Sequence, residues 1–180
     1  MTCHLFRYGG VMSDDVIWLP ADAQELWRRW LRIHALLPAA LHRALRADAG
    51  LSLPDFDVLI QLTGRPEGRV RIYRLAEDLL WERSRVSHHV TRMERRGLVR
   101  REECGDDGRG AWVLLTEHGR AAIEQAAPTH SATVRRLVLD VLTEEELSAV
   151  SSVMAKVLDR LEPSYAERGE VGSSHRSPSD

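Results

Sequence analysis

Residues 73–116 read YRLAEDLLWERSRVSHHVTRMERRGLVRREECGDDGRGAWVLLT. Leu75, Ala76, Leu79 and Leu80 recur at the steps of one face of a short helix over Tyr73–Trp81. Val86, Val90 and Met93 do the same for a second helix over Ser84–Arg96, which Gly97 closes. The period then changes. Leu98–Glu102 and Ala111–Leu115 read as strands around Cys104–Gly110, a run rich in turn-forming residues. Helix, tight turn, helix and hairpin is the order of a winged helix-turn-helix. The second helix can enter a major groove, whose width admits an α-helix, and the hairpin is a wing that reaches the backbone or the adjacent minor groove. With the inward residues set aside, the second helix presents Arg85, Ser87, His88, Arg92 and Arg95, with Arg83 and Ser84 at its start. Arg109 stands near the wing tip between two glycines.

The charge distribution agrees with this reading, although the total does not advertise it. The 180-residue chain carries a formal net charge of −2. From Arg69 to Arg101, however, ten arginines face four acids. A local basic patch suits a polyphosphate partner, because neutralising phosphates releases condensed counterions. A solvated charged helix face is the plain alternative. The chain has a single lysine, Lys156, so its basic side chains are almost all arginines.

Outward from this unit, Val70 and Ile72 suit a very short strand. Ser52-Leu53-Pro54-Asp55 starts another helix, with proline in its first turn and an acid at the positive end of its dipole; Phe56, Leu59, Ile60 and Leu62 form its apolar face. Leu26, Trp30, Ile33, Leu37, Leu41 and Leu45 mark a long first helix, with Asp22 and Glu25 placed as a capping box and Pro38 expected to kink or divide it. Thr116 caps a long helix to about Leu142, bent at Pro128. Thr143–Glu146 is a second capping box, for a last helix burying Leu147, Val150, Val153, Met154, Val157 and Leu161 and ending at Pro163. The domain reading is a flexible segment over 1–20, a dimerisation helix over 21–50, the winged unit over 51–116, C-terminal dimerisation helices over 117–162 and a disordered tail over 163–180.

Other chemistries are weakly represented. No nucleophile–base pair, glycine-rich phosphate loop or H-E-x-x-H occurs, so no catalysis and no cofactor is expected. His88 and His89 are neighbours on a helix and diverge, which disfavours a shared metal; both read as DNA-facing or surface residues. His34 and His42 share a face but stand about 12 Å apart along it. Trp27, Trp30, His34, Phe56 and Trp81 are candidates to line a pocket for a planar apolar effector, against the reading of ordinary core aromatics. Two cysteines, no apolar run long enough to span a bilayer and no secretory start point to the cytoplasm.

The ordered set Arg74-Leu75-Ala76-Glu77-Asp78-Leu79, then Ser87 through Arg101, then Asp107-Gly108-Arg109 and Thr116-Glu117-His118-Gly119 resembles the MarR family of bacterial regulators over about residues 22–161. The resemblance implies a fold that is mainly α with a small β-hairpin wing, and a homodimer built from the first and the last two helices. It implies two winged units reading a pseudo-palindromic operator in double-stranded DNA, as a repressor released by a small molecule or an oxidant. Ser84, Arg85, Ser87 and His88 match the base-facing part of the family's recognition helix, and Arg109 its wing arginine. The chain departs from the family pattern where Leu80 or Trp81 replaces a common glycine in the turn, and where His88 replaces a common arginine. Cys104 has arginines nearby that could activate a thiolate, but the family's peroxide sensors carry their cysteine near the first helix, where this chain has none. The rival functions are a protein-binding winged module, such as an antirepressor, and a thiol- or metal-responsive regulator.

Overall fold

The computed structural model describes residues 19–65, 67–103 and 111–171. Cys3, Cys104, Asp107 and Arg109, the expected flexible segment up to residue 18 and the tail from residue 172 lie outside the described residues. The elements run α1 (Ala21–Ala49), α2 (Leu53–Thr63), β1 (Arg69–Arg71), α3 (Ile72–Leu79), α4 (Arg83–Arg95), β2 (Val99–Glu103), β3 (Ala111–Leu115), α5 (Glu117–Val134), a π-helical turn (Arg135–Leu139) and α6 (Glu144–Val171). The fold is a winged helix, mostly helical with one small antiparallel sheet. The chain separates into two units at Ala39 and Ala40, one residue beyond Pro38.

The expected hairpin is two-thirds of a three-stranded sheet of order β1-β3-β2. Val70 pairs with Val113 on one side of β3, and Arg101 pairs with Val113 on the other. Ile72 does not continue β1; it begins α3. Behind the sheet, α2, α3, α4 and α5 bury one apolar cluster that includes Leu45, Leu59, Leu62, Leu75, Val86, Val90, Met93 and Ile123. Each fully buried leucine or valine there contributes about 1.5–3 kcal/mol.

Local chemistry sets the joints. Ser52 and Asp55 form a reciprocal capping box at the start of α2, Asp55 N donating to Ser52 Oγ (3.1 Å) and Ser52 N to Asp55 Oδ2 (2.8 Å). Two helices of the winged unit end alike. At the end of α4, Gly97 N donates to Glu94 O (2.9 Å) and Leu98 N to Met93 O (3.0 Å), with Gly97 at φ 72°. At the end of α3, Leu80 N donates to Glu77 O (3.1 Å) and Trp81 N to Ala76 O (2.9 Å), with Leu80 at φ 52°. This is a Schellman ending twice over, once on glycine and once on leucine. Leu80, expected in the core, is 68% exposed because it sits at this left-handed cap beyond the helix face.

The last joint fixes the wing's root. Thr116 Oγ1 accepts from Gly119 N (2.9 Å) and donates to Gly97 O (2.6 Å), while Thr116 N donates to Leu98 O (3.3 Å). A Cβ on Gly119 would overlap the Leu98 carbonyl oxygen. That is the physical content of the T-x-x-G spacing: a hydroxyl to tie α5 to β2, and no side chain to hold them apart.

Several expectations are corrected. Asp22 lies inside the first turn of α1 rather than capping it, and Glu25 pairs with Arg28 and Arg29 along the helix. Pro38 does not divide α1, and α6 runs past Pro163 to Val171. Proline removes one backbone donor and crowds one turn, and in both helices the hydrogen bonds on either side maintain the run. In α2, Val58 is buried and Ile60 is 43% exposed. The helix after Thr116 becomes π-helical at Arg135 instead of continuing regularly to Leu142. The apolar faces of the outer helices are not fully covered by the described residues: Leu26, Trp30 and Ile33 of α1, and Val153, Met154, Val157 and Leu161 of α6, are all at least 40% exposed.

Candidate nucleic-acid interface

The site is built on α4. Val86, Val90 and Met93 are fully buried and fasten the helix to the core. Its outward side then carries Arg83, Ser84, Arg85, His88 and Arg92, all exposed or half-buried, with Ser87 half-buried. Arg109, the expected wing contact, falls outside the described residues. Glu82, the N-cap, makes no side-chain hydrogen bond to the first turn. The first-turn N–H groups therefore keep the positive end of the helix open to an anion.

Nine of the ten arginines of the basic stretch divide into two sets. Those flanking α4 are engaged with the protein's own acids: Arg69 with Glu67, Arg74 with Glu77, Arg96 with Asp55, Arg100 with Glu102 and Arg101 with Glu94. Among the described residues, Arg83, Arg85, Arg92 and Arg95 of α4 form no ion pair. The excess charge is thus concentrated on the helix that presents it. Arg69 and Arg71 also lie against the Trp112 ring, at 4.7 and 4.5 Å from its centroid.

Beneath α4 lies a polar cluster that the sequence reading missed. His89, read as DNA-facing or surface, is buried at 7% exposure, as is Asp55 of α2 at 3%. His89 belongs to the inward row Val86, His89, Val90, Met93, whose three- and four-residue steps were available as a signal. Its Nε2 lies 3.1 Å from Asp55 Oδ1, out of line for a good hydrogen bond. Asp55 Oδ2 also accepts from Arg96 Nη1 at 2.7 Å, and Arg96 Nη2 donates to Gly50 O at 3.0 Å. Burial raises the Asp55 pKa, but His89, the Ser52 amide and hydroxyl and Arg96 together outweigh it and hold the carboxyl well below the usual range.

Two clefts adjoin this layer. One, of about 400 Å³, is lined by His42, Asp55, Trp81, His89 and by Arg85, Arg92 and Arg96. The other, of about 530 Å³, lies among α2, α3 and α5, where Phe56, Ile60, Leu79, Trp81 and His130 face Asp57 and Asp78. His130 stacks on Phe56 at 4.4 Å, and its buried Nδ1 has no hydrogen-bond partner among the described residues. Burial lowers the His130 pKa, partly offset by Asp57; burial raises that of Asp57, partly offset by His130, His89 and Arg85. Of the five candidate effector residues, Phe56 and Trp81 meet on this second cleft. Trp27 and Trp30 are 52% and 43% exposed, and His34 is exposed, on the other unit of the chain.

A sequence profile of the MarR family matches residues 49–110. The chain is 38% identical to Sco3205, a MarR family transcriptional regulator from Streptomyces coelicolor solved in complex with DNA, covering 84% of this chain and 95% of that one at a TM-score of 0.77. The chain belongs to the MarR family. AbsC, another MarR family regulator from Streptomyces coelicolor, is 36% identical over 82% of this chain and 99% of its own, with a TM-score of 0.76. An HTH-type transcriptional regulator of Bacillus cereus is 34% identical over 108 residues, 59% of this chain and 69% of the relative. The MarR family is one of DNA-binding transcriptional regulators, and the profile spans α2 to β2 of this member, α4 included. No described helix is long and apolar enough to cross a membrane.

Proposed function

We propose that this MarR-family protein acts in the cytoplasm as a homodimeric, non-catalytic repressor that binds a pseudo-palindromic operator and is released by a small aromatic or apolar effector. The observation that carries the DNA-binding part is the set of four α4 arginines without acid partners among the described residues, beside five neighbouring arginines that have them. Arg83 and Arg92 engage phosphates, and Ser84, Arg85, Ser87 and His88 face base edges. Arg109 adds a wing contact. The exposed apolar faces of α1 and α6 support the homodimer, since faces of this kind mark an interaction surface. The cleft at Phe56, Trp81 and His130 supports an effector site, in which His130 Nδ1 offers a hydrogen-bonding atom that no described residue uses. Trp81 walls both clefts, so a ligand that turned its ring would disturb the base of α4.

Selection of bound duplexes from a random pool tests this reading. It should return two inverted half-sites about one helical turn apart. Arg109→Ala should weaken binding and reduce the slope of log affinity against log salt by about one. Recovery of no enriched sequence, with binding insensitive to salt, would sink the DNA-binding role.

A further inference from the structure

We infer that the side chains Trp81 and His89, beneath α4, are positioning residues that pre-order the arginines Arg85 and Arg92 for contact with DNA. The inference rests on the DNA-binding reading above and adds what holds its cations in place.

The chemistry of one hydrogen bond fixes the first arm. Arg92 Nη2 lies 2.9 Å from His89 Nδ1. A guanidinium has donors and no acceptor, so Nδ1 is the unprotonated nitrogen and the ring proton sits on Nε2. That nitrogen is the one 3.1 Å from the carboxylate of Asp55. Asp55 in turn is fixed by the capping box of α2 and by Arg96. The chain of contacts therefore runs from the start of α2, through a buried imidazole, to an arginine on the outward side of the recognition helix.

The second arm uses a ring face. The Arg85 guanidinium carbon stands 4.1 Å from the Trp81 ring centroid, within cation–π distance. Trp81 meets His89 edge to face, with centroids 5.6 Å apart. The two supports are thus packed on each other, and the two arginines they hold are seven residues apart, about 10 Å along the helix. A free arginine loses substantial rotamer freedom on binding a phosphate, whereas one already held loses less. Neither support needs to touch DNA to act.

The test is a salt titration of full-length variants on a random-sequence duplex, with circular dichroism and a thermal melt as the check on folding. Arg92→Ala should lower the slope of log affinity against log salt by about one. His89→Leu should weaken binding about three- to tenfold, the net range of one ordinary hydrogen bond, and lower the slope similarly. His89→Asn, whose amide oxygen replaces Nδ1 as acceptor, should retain the wild-type slope. The double variant His89→Leu/Arg92→Ala should match Arg92→Ala alone. Trp81→Leu and Arg85→Ala should repeat the pattern on the other arm, which supplies the test if His89→Leu does not fold. A reduced slope in Arg92→Ala with a wild-type slope in folded His89→Leu overturns the positioning role and leaves the DNA contact standing. An unchanged slope in Arg92→Ala overturns both.

Discussion

The winged unit and the outer helices carry the same apolar periodicity and use it differently. In α2 to α4 the periodic residues vanish into one core: Leu59, Leu75, Val86, Val90 and Met93 are all at 0% exposure. In α6, Val153, Met154, Val157 and Leu161 keep the same steps and remain 40–53% exposed. Periodicity reports that a face is made to be covered. It does not say whether the cover comes from the same chain.

The comparison can be broken at its strongest point first. Gly119→Ala places a Cβ against the Leu98 carbonyl oxygen, and should cost about 3 kcal/mol or more, the upper range for forced overlap in a packed site, in a urea melt. A loss below about 1 kcal/mol would show that α5 and β2 part easily. Next, Leu59→Ala should cost about 2–5 kcal/mol whatever the protein concentration. The pair Val153→Asp/Val157→Asp should instead leave the core intact and convert the proposed dimer to monomers in sedimentation, with a melting temperature that no longer rises with concentration. If the two variants behave alike, the contrast between the regions is wrong.

Asp55 sharpens it with pH. Removing one partner from a buried charged cluster costs about 3–5 kcal/mol, so Asp55→Asn should be clearly destabilised at neutral pH. The sign follows from its lowered pKa. A carboxyl that ionises more readily in the folded state than at the unfolded value of 3.8 adds stability above that value and loses it as pH falls below. The gap between wild type and Asp55→Asn should therefore close on acidification below about pH 4 in denaturant melts. The smallest change has the opposite sign. Leu80 holds a left-handed backbone at φ 52° with its side chain exposed. Leu80→Gly relieves about 1 kcal/mol of that strain and should raise the melting temperature by a few degrees.

Most of the fold is legible in the sequence because its punctuation is local. Gly97 and Ser52 act on their own neighbours, as does Thr116 in capping α5, and the spacing from Arg74 to Gly119 is a sequence property. Leu80 escapes such a reading because it continues the apolar row by count while its backbone has already left the helix. The third strand is only half visible, since β1 gains its meaning from Val113, more than forty residues away. At the site, exposed residues of α4 can be read by subtracting the inward row. His89 is lost in that subtraction because its polarity disguises its place in the row, and its partner Asp55 lies on another helix. Which arginines are neutralised also depends on tertiary neighbours: Arg96 and Arg92 look equivalent in sequence, yet one reaches Asp55 and Gly50 while the other reaches His89.

The junction at Thr116 and Gly119 has a mechanical corollary. With a hydroxyl bolted across it and only a hydrogen atom's thickness between α5 and the strand, it has no slack to absorb a tilt. The first turn of α5 and the root of the hairpin are therefore coupled, so a tilt of that turn is carried into the hairpin's base.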